Sequence, residues 1–212
     1  MLNASFTTLL LMLPHLLLAF TAHEFAHGYA AYLLGDRTAF EDGRLTWNPL
    51  KHIDIMGFIM IMLVGFGWTK PVRFDPSNFK NPKRDAILVA MAGPAANLLL
   101  TLFFTVIIYV LFWSTDYLMN DSMEVLYQLL ITGVLMNVGL AIFNMLPFPP
   151  LDGSHLYMHY LVEKAPHIAW NLRRYGFVML FAIIMLERST GVDLLPIGTW
   201  INQVVQFLFQ FV

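Results

Sequence analysis

The residues best suited to chemistry in this chain are His23-Glu24-Phe25-Ala26-His27. On a helix, His-Glu-x-x-His puts two imidazoles one turn apart on one face, where both can reach a single metal ion. Glu24 between them can take a proton from a metal-activated water. Leu11-Met12-Leu13 and Leu16-Leu17-Leu18 precede the motif, and Tyr29-Ala30-Ala31-Tyr32-Leu33-Leu34 follows it. On a soluble surface the motif would suggest an ordinary metallopeptidase; in this setting it suggests hydrolysis inside a bilayer. The bland alternative is two histidines packed between helices. The cost of placing ionisable groups in hydrocarbon favours metal binding.

A catalytic zinc usually has three protein ligands and a water. The chain has no cysteine, so the third ligand must be a histidine or a carboxylate. Asp152, His155, His159, His52 and Asp54 are the candidates. Asp152 follows the break Pro147-Phe148-Pro149-Pro150-Leu151, and unwound backbone at membrane depth is tolerated where it lines a cavity. His155 and His159 are spaced i, i+4 and are expected in a helix after Gly153, facing polar surroundings. Interfacial solvation accounts for His52 and Asp54, and helix packing or water contact for His15. Asn144, about one turn before the break, could donate to the oxyanion of a tetrahedral intermediate, or clasp two helices. Asn97 reads first as helix packing, because Gly93, Ala95 and Ala96 permit close approach. Asn137 lies in no motif and receives no role.

The elements that position these groups must be membrane helices. Hydrophobic residues make up 58% of the 212 residues and charged ones 12%, with mean hydropathy +0.64. Soluble domains carry about 25% charged residues. The net charge of −2 and the lack of a basic stripe argue against a nucleic-acid partner. Absence of cysteine leaves the redox compartment open. Ala19-Phe20-Thr21-Ala22 faintly resembles a signal-peptidase site, but no Lys or Arg precedes Arg37 to form a positive n-region. Residues 5–34 therefore read as a mature transmembrane helix.

Further apolar stretches lie at about 53–67, 86–113, 125–147 and 175–186, with an amphipathic one at 197–212. The Gly-interrupted 53–67 is short enough to be re-entrant. Asp42-Gly43 suggests a β-hairpin near residues 37–47, whose edge could capture substrate by strand addition or could simply be a connector. The expected fold is an all-α multi-spanning membrane protein of about four to six transmembrane or re-entrant helices plus that hairpin. Residues 1–212 read as a single membrane-embedded domain.

Charge adds a topology. Loop 68–85 holds Lys70, Arg73, Lys80, Lys83 and Arg84, whereas loop 114–124 holds Asp116, Asp121 and Glu124 and no cation. The positive-inside rule puts the first in the cytoplasm. Asp152 then returns to the cytoplasmic face. It can meet the two imidazoles only if 53–67 turns back to its own side.

Three segments together resemble the signature motifs of the site-2 protease family of intramembrane zinc metallopeptidases: His23–His27, Gly93-Pro94-Ala95-Ala96-Asn97, and Asn144-Met145-Leu146-Pro147-Phe148-Pro149-Pro150-Leu151-Asp152-Gly153. Gly65-Phe66-Gly67-Trp68-Thr69-Lys70-Pro71-Val72 also resembles a stretch of compact bacterial members without a PDZ or CBS domain. The resemblance implies one Zn2+ per chain, held by His23, His27 and Asp152, with Glu24 as catalytic base and Asn144 near the substrate or oxyanion. It implies an endopeptidase that cuts transmembrane segments of membrane-anchored proteins in regulated intramembrane proteolysis. It implies a multi-pass protein of the cell membrane with its site toward the cytoplasm. The alternatives are a membrane zinc-binding or transport protein and a proteolytically inert relative. Substrate identity and oligomeric state are not legible.

Overall fold

The computed structural model describes residues 6–64, 67–112 and 121–210. Eight α-helices are present among them: α1 (Phe6–Leu33), α2 (Thr38–Glu41), α3 (Ile55–Val64), α4 (Pro82–Phe112), α5 (Asp121–Asn144), α6 (His155–Lys164), α7 (Pro166–Thr190) and α8 (Ile197–Leu208). Trp113, Asp116 and most of the acidic loop fall outside the described residues, as do Gly65 and Phe66.

α4 carries the inversion that lipid imposes. Asn97, Thr101 and Thr105, at i, i+4 and i+8, are buried, whereas Leu98, Leu99, Leu102, Phe103, Val106 and Val110 are exposed. In water this helix would be inside out; with hydrocarbon as solvent, the apolar face belongs outside and each polar group needs an internal partner. Thr101 and Thr105 meet that need locally, donating to the carbonyls of Asn97 and Thr101. α4, α5 and α7 are each long and apolar enough to cross a membrane. The chain is a multi-pass membrane protein.

α1 lies against both α4 and α5. Beyond it, Phe104 and Ile108 of α4 interlock with Leu130, Val134 and Val138 of α5, and α8 closes over them through Ile201, Val204, Val205 and Leu208. Asn202, Gln203 and Gln206 occupy the exposed side of α8, so it is amphipathic as expected. Its 12 residues rise only about 18 Å, too short to cross.

The segment 53–67 does turn back. α3 has 10 residues, about 15 Å of rise. Its two flanks lie side by side: Ile53 and Thr69 form an antiparallel bridge, and Lys70 N donates to His52 O at 2.9 Å. Gly57 and Gly67 make this possible, since a Cβ on either would collide with backbone of the other flank.

The expected hairpin at 37–47 is not formed, and the chain is helical there. Asp36 Oδ1 accepts from Thr38 N and Thr38 Oγ1, which starts α2. Gly43, with φ +64°, ends it. Its N–H bonds to Phe40 O, and that of Arg44 bonds to Ala39 O. This is the paired closure of a helix C-terminus. A positive-φ glycine after Asp serves a helix end as well as a hairpin, and the local hydrogen bonds of Asp36 tip the choice. Strand capture by that hairpin falls with it; the one β-bridge among the described residues is Ile53–Thr69.

α7 is longer than the apolar stretch 175–186 suggests. It starts with Pro166 at its first turn and stops at Gly191 with φ +69°. Arg173 and Arg174 interrupt the apolar pattern without interrupting the helix.

Candidate metal centre

α1 presents His23 and His27 one turn apart, with ring centroids 4.6 Å from each other and planes nearly perpendicular. Each ring is tied by its Nδ1. That of His27 lies 2.8 Å from Val89 O, and that of His23 lies 2.6 Å from Asn97 Oδ1. Both anchors belong to α4, which approaches closely because residue 93 is glycine. A Cβ there would strike His27 Nε2 and come within 2.6 Å of His23 Cε1.

Asp152 arrives from the other side, in a 3-10 turn after α5. Gly153 lets that turn fold back onto the end of α5, where a Cβ would collide with Met145 and Leu146 carbonyls. The Pro149–Pro150 bond in the same loop is cis. Asp152 Oδ2 lies 3.1 Å from His23 Nε2 and 3.3 Å from His27 Nε2, and the two Nε2 atoms are 3.0 Å apart.

The three atoms thus form a nearly regular triangle. Bonds of about 2.0–2.1 Å at tetrahedral angles put ligand atoms about 3.3 Å apart. A carbonyl only accepts, so His27 Nδ1 carries the proton and its Nε2 faces inward as a lone pair. Asp152 Oδ2 is buried and accepts no well-formed hydrogen bond. A buried, converging set of nitrogen and oxygen donors without protons of their own to share fits a divalent cation such as zinc.

Glu24, also buried, points to a different neighbour. Its Oε1 accepts from Thr69 Oγ1 at 2.5 Å and its Oε2 from Val72 N at 2.8 Å. The extended segment after α3 therefore holds the carboxylate beside the three converging donors. One cavity of about 890 Å³ contains His23, Glu24, His27, Asp152 and Asn144, and runs on between apolar walls such as Leu16, Ile61 and Leu140. Asn144 Nδ2 donates to Leu140 O at 3.0 Å, so one of its amide protons is spent on its own helix.

The remaining candidates stand apart from the triangle. His52 is buried, with Nε2 2.9 Å from Thr46 O. Asp54 Oδ1 accepts from Gly57 N at the start of α3. His155 lines the same cavity, but burial pushes its imidazole down and Asp152 pulls it back less strongly. His159 lies a turn further on in α6, as expected, and is likewise lowered by burial and then by Arg173. His15 is buried against Phe104, ring centroids 5.1 Å apart. Sequence reasoning gave no site role to Thr69 or Asn137, and read Asn97 first as packing. The available signal was the buried stripe Asn97, Thr101, Thr105 on an otherwise apolar helix.

Comparison with known proteins gives the chain a family. The description Peptidase family M50 matches residues 116–186, a span that includes Asp152. A candidate zinc metalloprotease of Bacillus subtilis, YwhC, is 36% identical over 171 residues, covering 80% of this chain and 78% of that protein. The chain belongs to peptidase family M50. Within this M50 relationship, a candidate zinc metalloprotease of Mycolicibacterium smegmatis, Rip2, is 24% identical over 207 residues, covering 95% of this chain and 74% of that protein. Another from Methanocaldococcus jannaschii, MJ0611, is 29% identical over 136 residues, covering 64% and 62%. No solved structure matches the chain. The likeness of the three motifs to the site-2 protease family is the M50 likeness.

Proposed function

We propose that the protein is a zinc-dependent endopeptidase that hydrolyses peptide bonds of membrane-embedded segments. The observation that carries this reading is the donor triangle of 3.0–3.3 Å beside a buried glutamate. His23, His27 and Asp152 would hold the ion. When bound, zinc lowers the pKa of a water toward about 7 and polarises a carbonyl.

Glu24 is the general base. It takes the proton of the attacking water and passes it to the leaving amine. Thr69 and Val72 hold its carboxylate in place before reaction. Asn144 has a second amide proton beyond the one given to Leu140, and that proton is the donor for the developing oxyanion. The apolar walls of the cavity suit a substrate drawn from the bilayer. Such a substrate must unwind locally, because a helical carbonyl is already engaged. Residues 1–212 act as one membrane-embedded domain. The protein resides in the cell membrane, and its site opens toward the cytoplasm: loop 68–85, which supplies the Glu24 contacts, is the basic loop.

The test is Glu24→Gln in the full chain, in detergent or nanodiscs. Zinc stoichiometry should remain at one while cleavage of a single-pass membrane substrate falls by about 100-fold or more. Full activity in that variant would remove Glu24 as the base, and loss of zinc would show that it acts on the metal instead.

A further inference from the structure

Four polar groups lie in a line through the apolar interior. His23 Nδ1 meets Asn97 Oδ1 at 2.6 Å. Asn97 Nδ2 donates to Ala19 O at 3.2 Å and to Asn137 Oδ1 at 2.9 Å. Asn137 Nδ2 donates to Gly133 O at 2.9 Å. Asn97 and Asn137 are both fully buried, one in α4 and the other in α5.

The direction of this line is fixed by its ends. An amide can turn end for end, so a pair of asparagines alone would leave donor and acceptor undecided. Ala19 O and Gly133 O are main-chain carbonyls, which only accept. The Asn137 NH2 must therefore face Gly133, which turns Oδ1 toward Asn97. The Asn97 NH2 must face both Asn137 Oδ1 and Ala19 O, which turns its own Oδ1 toward His23. An acceptor at His23 Nδ1 requires the proton there, and leaves the lone pair on Nε2.

We infer that Asn137, acting through Asn97, is a positioning residue that sets the tautomer and ring orientation of His23 for metal binding. The inference rests on the reading of His23 as a zinc ligand. It gives a function to an asparagine that no motif marks. Two amides perform here what a lone carboxylate often does behind a zinc-bound histidine, without placing a net charge in the bilayer.

The experiment compares Asn97→Leu, Asn97→Asp, Asn137→Leu, Asn137→Asp and His23→Gln in the purified full chain. Zinc affinity is measured by chelator competition. The His23 tautomer is read from 15N spectra of metal-free, histidine-labelled protein, in which the His23 signals are those missing from His23→Gln. Asn97→Leu should weaken zinc binding by about 10–100-fold. Asn137→Leu should weaken it less and show a proton on Nε2 in part of the population. The two Asp variants should restore near-native affinity. Asn97→Asp keeps an acceptor at Nδ1. Asn137→Asp keeps an acceptor for Asn97 and, in its protonated form, a donor for Gly133 O.

Folded Leu variants that bind zinc as the native chain does would overturn the proposal, and so would a native His23 protonated on Nε2. If the Leu variants do not fold, the native 15N spectrum still decides. His23→Gln separates the two readings. Native zinc binding in that variant removes His23 as a ligand. Loss of zinc there with unaffected Asn variants removes only the relay.

Discussion

The two halves of α4 do opposite work. From Val89 to Asn97 its inner face offers a main-chain carbonyl, a glycine and an amide to the histidines of α1. From Phe104 to Ile108 the buried side carries the large apolar side chains Phe104 and Ile108, which interlock with α5 beneath α8, and Thr105 beside them spends its hydroxyl on its own helix. The first half is close and polar; the second is bulky and dry. Along one helix, the groups that hold the two imidazoles are thus separated from the bulky side chains that lock it to α5.

The sharpest way to break the contrast is Gly93→Ala. The new methyl occupies the space of the His27 and His23 rings, so zinc should be lost and cleavage should fall by about 100-fold or more, as expected when reacting groups move by about 1 Å. Metal analysis and a cleavage assay check this. Ile108→Ala should do the reverse. It leaves a cavity in the dry half, costing about 2–5 kcal/mol of stability, with zinc stoichiometry unchanged. Unfolding in mixed micelles measures that cost. An equal loss of zinc in this variant would erase the distinction between the halves.

A third substitution lies outside both. Asp36 is buried and ties the α1–α2 turn to loop 75–78, accepting from Thr38, Asp75 N at 2.8 Å and Asn78 Nδ2 at 2.7 Å. Asp36→Ala should cost about 1–3 kcal/mol. Burial would raise this carboxyl, but those hydrogen bonds outweigh it and lower it. The stabilisation is therefore complete above the ordinary Asp value of about 3.9 and fades as pH falls through the depressed folded value. Native protein should lose this increment in acid, and the Asp36→Ala variant should not. Smallest is Tyr109→Phe, which removes the bond from Tyr109 Oη to Leu208 O at 2.6 Å and should cost about 0.5–1.5 kcal/mol, loosening α8 without touching the metal.

Much of the site could be read from the sequence because its chemistry is local. His23 and His27 fall on one helical face by spacing alone, with Glu24 between them turned to the side. Asp152 was visible as a carboxylate after a Pro-rich break, and 53–67 as too short to cross. Asn137 was not visible, because its role depends on the pairing of α4 with α5 across 40 residues. The Asp42-Gly43 dipeptide misled because it satisfies two geometries, and only the side-chain bonds of Asp36 decide between them. The early start of α7 was hidden by Arg173 and Arg174, which a helix end near water accommodates through their long stems.

The contact between His27 and Val89 has a longer reach than its 2.8 Å suggests. An oxygen of the main chain is present whatever residue stands at position 89, so no substitution can delete it and selection has nothing there to adjust. Its counterpart at His23 is a side chain, open to replacement in every generation. Drift in metal affinity among descendants of this chain should therefore enter through one imidazole and spare the other.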